Sequence, residues 1–189
     1  MTIKLGVREL VEFTLRTGDL SATSGSQNTA QLGARIHRRL QKQRDSNYQK
    51  EYYLELPLTL NHQDYLLHGR ADGVTLSDTH ATIEEIKTSE TVFDQLKDNT
   101  LTLYWAQVKL YAHLLMQKFT ALEQVTLTLT YFQTNTETTT QTEQVITKEA
   151  AKTFFDEVIA EYVTWLKFRA DLQERRDPTI RQLLSLIHI

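Results

Sequence analysis

Residues 51 to 88 hold three consecutive runs with the period of two that belongs to half-buried β-strands, and two short turns join them. In EYYLELPLTL, the residues Tyr52, Leu54, Leu56, Leu58 and Leu60 alternate with mostly polar partners. A turn from Asn61 to Asp64 leads into YLLHGRADGVTL, and SDT leads into HATIEEIKT. The pattern predicts a three-stranded meander, with acids and a lysine placed on its last two strands.

Helical patterns flank the meander. GVRELVEFTLRTGDL spaces Val7, Leu10, Val11 and Leu15 as a helix closed by Gly18, and SATSGSQNT follows as a polar loop. Thr29 to about Arg44 reads as a second helix, with Ala30, Gly33, His37 and Leu40 on one face and strongly basic residues elsewhere. Asn99 to Phe119 is apolar nearly all round, as in a helix buried between layers. QVTLTLTYF is another strand, and QTNTETTTQTE is a polar hairpin connection or loop. Thr147 caps a long helix that reaches about Arg176 and stops before Pro178. The element order, roughly α-α-β-β-β-α-β-β-α, indicates one mixed α/β domain over residues 1–177, with a linker beginning at residue 178.

The totals narrow the function. A length of 189 residues with 40% hydrophobic content suits a single domain with a real core. A net charge of −3 argues against coating nucleic acid by bulk electrostatics, so any phosphate binding is local. With no cysteine there can be no disulfide, thiolate zinc site, cysteine nucleophile or cysteine-ligated iron–sulfur cluster. No apolar run is long enough to span a bilayer, and the N-terminus lacks the apolar centre of a signal peptide. The chain therefore reads as soluble and cytoplasmic, with no membrane partner.

The charges on the meander carry the chemistry. In a strand, Glu85 and Lys87 share a face while Ile86 points to the other, and Asp72 on the neighbouring strand comes within reach of both. Two carboxylates and a backbone carbonyl, taken at Ile86, are a fitting oxygen set for Mg²⁺ or Mn²⁺, which leaves water and phosphate to complete the octahedron. Such an ion polarises a phosphodiester and acidifies its bound water, while the lysine orients that water or neutralises phosphorane charge. The alternative is a cross-strand salt bridge worth at most about 1 kcal/mol. The catalytic reading requires Glu85, not Glu84, to face Asp72, because a one-residue slip would turn Lys87 away.

Four short motifs, in order, resemble the RecB-like branch of the PD-(D/E)XK nuclease superfamily. They are G-x-x-x-H at Gly33 to His37, G-x-x-D at Gly69 to Asp72, E-x-K at Glu85 to Lys87, and Q-x-x-x-Y at Gln107 to Tyr111. Ala71 stands where the name-giving proline would be. The resemblance implies a restriction-endonuclease-like core, a central mixed β-sheet flanked by α-helices. It implies Asp72 and Glu85 as metal ligands, Lys87 as catalytic lysine, His37 as a further ligand or DNA-side contact, and Gln107 and Tyr111 as residues that orient the site or contact DNA. His37 also has the plain reading of a packed histidine. Arg35, Arg38, Arg39 and Lys42 beside it, and Arg70 in the aspartate motif, are candidate phosphate contacts or simply solvated charges.

VRELVEFTLRTGDL, the nuclease motifs and the final helix through RRDPTIRQL together resemble the N-terminal domain of DinG/XPD-like helicases. This implies a helicase following in a longer protein, although no G-x-x-x-x-G-K-[ST] is present here. Residues 184–189, LSLIHI, read as translated sequencing adapter, so the natural chain is expected to continue beyond about Leu183. The leading expectation is a metal-dependent DNA nuclease acting on single-stranded or branched DNA in repair or processing. The alternative is a catalytically inactive DNA-binding module that positions a helicase.

Overall fold

The computed structural model describes residues 1–16, 27–77 and 80–187. In chain order the elements are β1 (Ile3–Gly6), α1 (Val7–Leu15), α2 (Gln27–Gln41), β2 (Tyr48–Leu60), β3 (Gln63–Leu76), β4 (Ala81–Ser89), α3 (Asp98–Lys118), β5 (Gln124–Gln133), β6 (Thr138–Thr147) and α4 (Lys148–Ile187). A single mixed sheet runs β1-β3-β4-β5-β6, with β2 added on β3. The α/β class and the flanked central sheet are as the sequence indicated.

β3 organises the sheet. β2 pairs antiparallel along almost its whole length, from Tyr48↔Thr75 to Leu60↔Gln63. The tight turn between them places Asn61 and His62 at φ of 48° and 61°, a left-handed pair that matches the twist of a two-residue hairpin. The opposite edge of β3 is shared. β1 runs parallel to residues 65–68, and β4 runs antiparallel to residues 73–76. Residues 69–72 therefore have neither neighbour on that edge, and the sheet forks there.

Helices cover both faces. α1, α3 and α4 pack together on one side. Their apolar faces join Leu54, Leu67, Ala71, Val74, Ile83 and Leu127 in the main core. The all-round apolar character of α3 follows from that position, for it is buried from Ala106 to Met116 between sheet and helices. α2 lies alone on the other side, where Ile36 and Leu40 pack on Ile86 and Phe132.

Four features differ from expectation. β1 was not legible, because only Leu5 of its four residues is buried and its pairing depends on the free edge of β3. The polar tract after residue 133 is mostly strand: β6 begins at Thr138, and its threonine-rich, exposed pattern suits a sheet edge. α2 spans Gln27–Gln41 rather than Thr29 to Arg44. Thr147 Oγ1 does accept the Ala150 N–H at 3.2 Å, as a cap should, but α4 continues through Pro178 to Ile187 instead of stopping. A proline removes one backbone hydrogen bond, and a long helix with regular turns on both sides can carry that loss. Gly18 and the loop residues 21–26 lie outside the described residues.

Candidate active site

The fork in the sheet is built around Asp72. The β2–β3 ladder skips one pair between Lys50↔Gly73 and Tyr52↔Ala71, and Glu51 opposite Asp72 takes a φ of 52°. Ala71 and Val74 both enter the main core, although regular alternation would put them on opposite faces. The strand thus changes face at residues 72–73. On the other side, β4 parts from β3 after Gly73↔Glu84. The Ile86 N–H donates to Asp72 Oδ2 at 2.7 Å, so a side-chain carboxylate replaces the missing ladder partner. The other oxygen, Oδ1, lies 3.3 Å from His37 Nδ1, and Gln41 Nε2 donates to the Asp72 carbonyl at 2.8 Å.

β4 separates its charges by alternation. Ile83 joins the main core while Ile86 joins the small core under α2, so Glu85 and Lys87 lie on the α3 side. Lys87 Nζ donates to Glu85 Oε1 at 2.6 Å and to Gln107 Oε1 at 2.9 Å. Glu84 faces the α2 side, where Arg44 grips both its oxygens, with Nε at 3.1 Å from Oε2 and Nη2 on Oε1. Thr130 Oγ1 donates to the same carboxylate. The register therefore sets Glu85, and not Glu84, beside Lys87. Two motif glycines serve close approaches. A Cβ at Gly69 would lie 2.7 Å from the Tyr111 hydroxyl, and one at Gly33 would lie 3.2 Å from Thr88 Oγ1.

Burial and neighbouring charge shape the site's titration. Glu85 is 4% exposed, and burial, opposed by Lys87 and reinforced by the Asp72 charge, pushes its carboxyl up to about 7. Burial works to keep His37 neutral, but its hydrogen bond to Asp72 and the charges of Asp72 and Glu85 raise it overall. The Tyr111 hydroxyl is raised by burial and by Glu85. The Lys87 ammonium also sits 5.0 Å from the Tyr104 ring centroid, a residue one turn before Gln107 on α3.

Among the described residues no three His, Asp or Glu side chains are grouped as a complete metal cage. The donor set is instead sparse and hard: the Asp72 and Glu85 carboxylates with the Ile86 carbonyl, which points to the same strand edge as the N–H that meets Asp72. That set fits a divalent cation that keeps several waters. A cation there would also offset the burial and the Asp72 charge that together raise Glu85. His37, expected from the resemblance as a further ligand or a DNA-side contact, has its Nδ1 against Asp72 Oδ1, a position from which it can orient that carboxylate.

A cleft of about 790 Å³ opens on Asp72, lined also by His37, Arg38, Thr88, Lys50 and Arg8. Of the basic residues singled out from sequence, only Arg38 lines it. Arg35 and Arg39 border a smaller hollow at Phe132, with the Arg39 guanidinium 4.9 Å over that ring. Lys42 and Arg70 are exposed elsewhere. Sequence reading missed Arg8, Gln41, Arg44, Lys50 and Tyr104. Only Tyr104 carried a signal, its spacing of three from Gln107.

A search of curated proteins finds no sequence match. Among solved structures, the chain resembles the protein SSO0001 with a TM-score of 0.53 at 19% identity, covering 83% of this chain and 75% of that one. An alkaline exonuclease from Laribacter hongkongensis superposes with a TM-score of 0.42 at 14% identity, over 90% of this chain and 94% of that one. A model of the PD-(D/E)XK nuclease superfamily matches residues 8–182. The central mixed sheet flanked by helices is the restriction-endonuclease-like fold of that group, and the chain belongs to the PD-(D/E)XK nuclease superfamily.

Proposed function

We propose that this chain is a Mg²⁺- or Mn²⁺-dependent deoxyribonuclease that hydrolyses phosphodiester bonds. The observation that carries the reading is the fork, where the Ile86 N–H holds Asp72 while Lys87, next on the strand, bonds to Glu85 and Gln107. A bound divalent ion would supply Lewis-acid polarisation of the phosphate and a more acidic water. The chain's own residues do the rest. Asp72, Glu85 and the Ile86 carbonyl hold the ion. The Ile86 N–H and His37 fix the orientation of Asp72. Lys87 places a positive charge where negative charge grows on the attacked phosphate, and Gln107 limits its freedom.

The finer reading places the chain in the RecB-like branch, as a domain of residues 1–177 acting on single-stranded or branched DNA in repair or processing beside a helicase. It is supported by the order of the four motifs. The test is incubation of the purified protein with single-stranded and linear duplex DNA in Mg²⁺ and in Mn²⁺, beside Lys87→Ala and Asp72→Ala. Cleavage should need the metal and should vanish in both variants. Binding without cleavage in either metal would turn the assignment to an inactive DNA-binding module.

A further inference from the structure

Arg8 is placed where no motif put a functional residue. α1 follows β1 directly, with Gly6 as the joint, and the last β1 pair is Gly6↔His68. The helix therefore starts beside the point where β3 runs on, unpaired on that edge, into Asp72. This sets Arg8 on the wall of the cleft that also contains His37, Arg38 and Asp72. Its side chain is 75% exposed, and Nε donates to Glu12 Oε1 at 2.8 Å. Among the described residues that is its one hydrogen bond, so both Nη groups are available.

Local stability does not account for this residue. A cation in the first turn of a helix opposes the macrodipole. An arginine placed four residues before a glutamate is the less favourable order of an i, i+4 pair. Such exposed pairs add little in any case. A local rule broken on the wall of a cleft that opens on Asp72 points to a ligand of opposite charge.

We propose that Arg8 contacts a backbone phosphate of a nucleic-acid strand lying in this cleft, with α1 forming one wall and Arg38 of α2 another. The inference rests on the nuclease reading and adds a binding residue to it. Arg8 acts on affinity and register of the strand, not on the bond-breaking step.

The test is anisotropy titration of a labelled single-stranded oligonucleotide in Mg²⁺, with Lys87→Ala as the parent so that the strand stays intact, over a range of salt. Arg8→Ala should weaken binding by about three- to tenfold near 0.1 M salt and reduce the slope of log Kobs against log salt by about 1. Arg8→Lys should restore the slope and only part of the affinity, because it keeps the charge and loses the fork. Thermal midpoints of the variants, expected to be unchanged or slightly higher, separate this from misfolding. Unchanged affinity and slope in Arg8→Ala would overturn the role of Arg8 alone. A parent that binds no nucleic acid at all would overturn the nuclease reading itself.

Discussion

Gln107 Oε1 accepts a hydrogen bond from Lys87 Nζ at 2.9 Å, and so an α3 residue fixes the ammonium of a β4 residue. An ammonium on a four-carbon stem has many rotamers, and two acceptors restrict it to one. If the chain is the nuclease proposed, Gln107→Ala should therefore lower kcat by about 10- to 100-fold with little effect on KM, because it loosens the lysine and not a strand contact. Steady-state kinetics on a short oligonucleotide would read this, and a loss confined to KM would contradict the bracing role.

Arg44, half-buried, pairs with the buried Glu84 carboxylate behind the site. Removing the arginine leaves the buried Glu84 carboxylate with Thr130 as its remaining donor, so Arg44→Ala should cost about 1–3 kcal/mol in urea denaturation. Arg44→Met with Glu84→Leu should recover most of that loss, because the apolar pair carries no desolvation penalty.

At Gly69 a methyl group would meet the Tyr111 hydroxyl at 2.7 Å and a ring carbon at 2.8 Å. Both belong to a buried, packed ring, so Gly69→Ala is expected to destabilise by about 1–3 kcal/mol. The strand that delivers Asp72 should shift with it. Thermal unfolding and cleavage rate should fall together in this variant.

His113, 4% exposed and stacked 4.2 Å from Phe155, is pushed down to about 4, chiefly by burial. The folded state keeps it neutral, while the unfolded chain takes up a proton near its ordinary 6.5. Its contribution to stability is thus fully present above about 6.5 and is lost as pH falls toward 4, by up to roughly 3 kcal/mol. Denaturation curves at several pH values should show a shallower acid-side loss in His113→Phe.

Much of this was legible because burial leaves a period. β2 through β5 and α3 announce themselves by alternation or by unbroken apolarity, since each has at least one face in the core. β1 has no such signature and exists only because β3 offers it an edge. The motif order pointed to Asp72, Glu85, Lys87 and Gln107, and the preference for Glu85 over Glu84 depended on a strand register that the sequence alone does not fix. That choice rests partly on Arg44, 40 residues upstream of the carboxylate it grips, a pairing that no local pattern encodes. Arg8 was silent for the same reason. Its place depends on where β1 ends against β3, not on its neighbours in the chain.

The connection between Ser77 and Ala81, closed by the Ser77 N–H donating to the His80 carbonyl at 2.9 Å, acts as a parity setting for β4. One residue more or fewer there, unless absorbed as a bulge, would carry Glu84 to the α3 side, where Glu85 and Lys87 now lie, and turn Lys87 toward α2. The number of residues in that short link constrains the face that β4 presents more tightly than their identity does, and an even-numbered insertion should be tolerated where a single one is not.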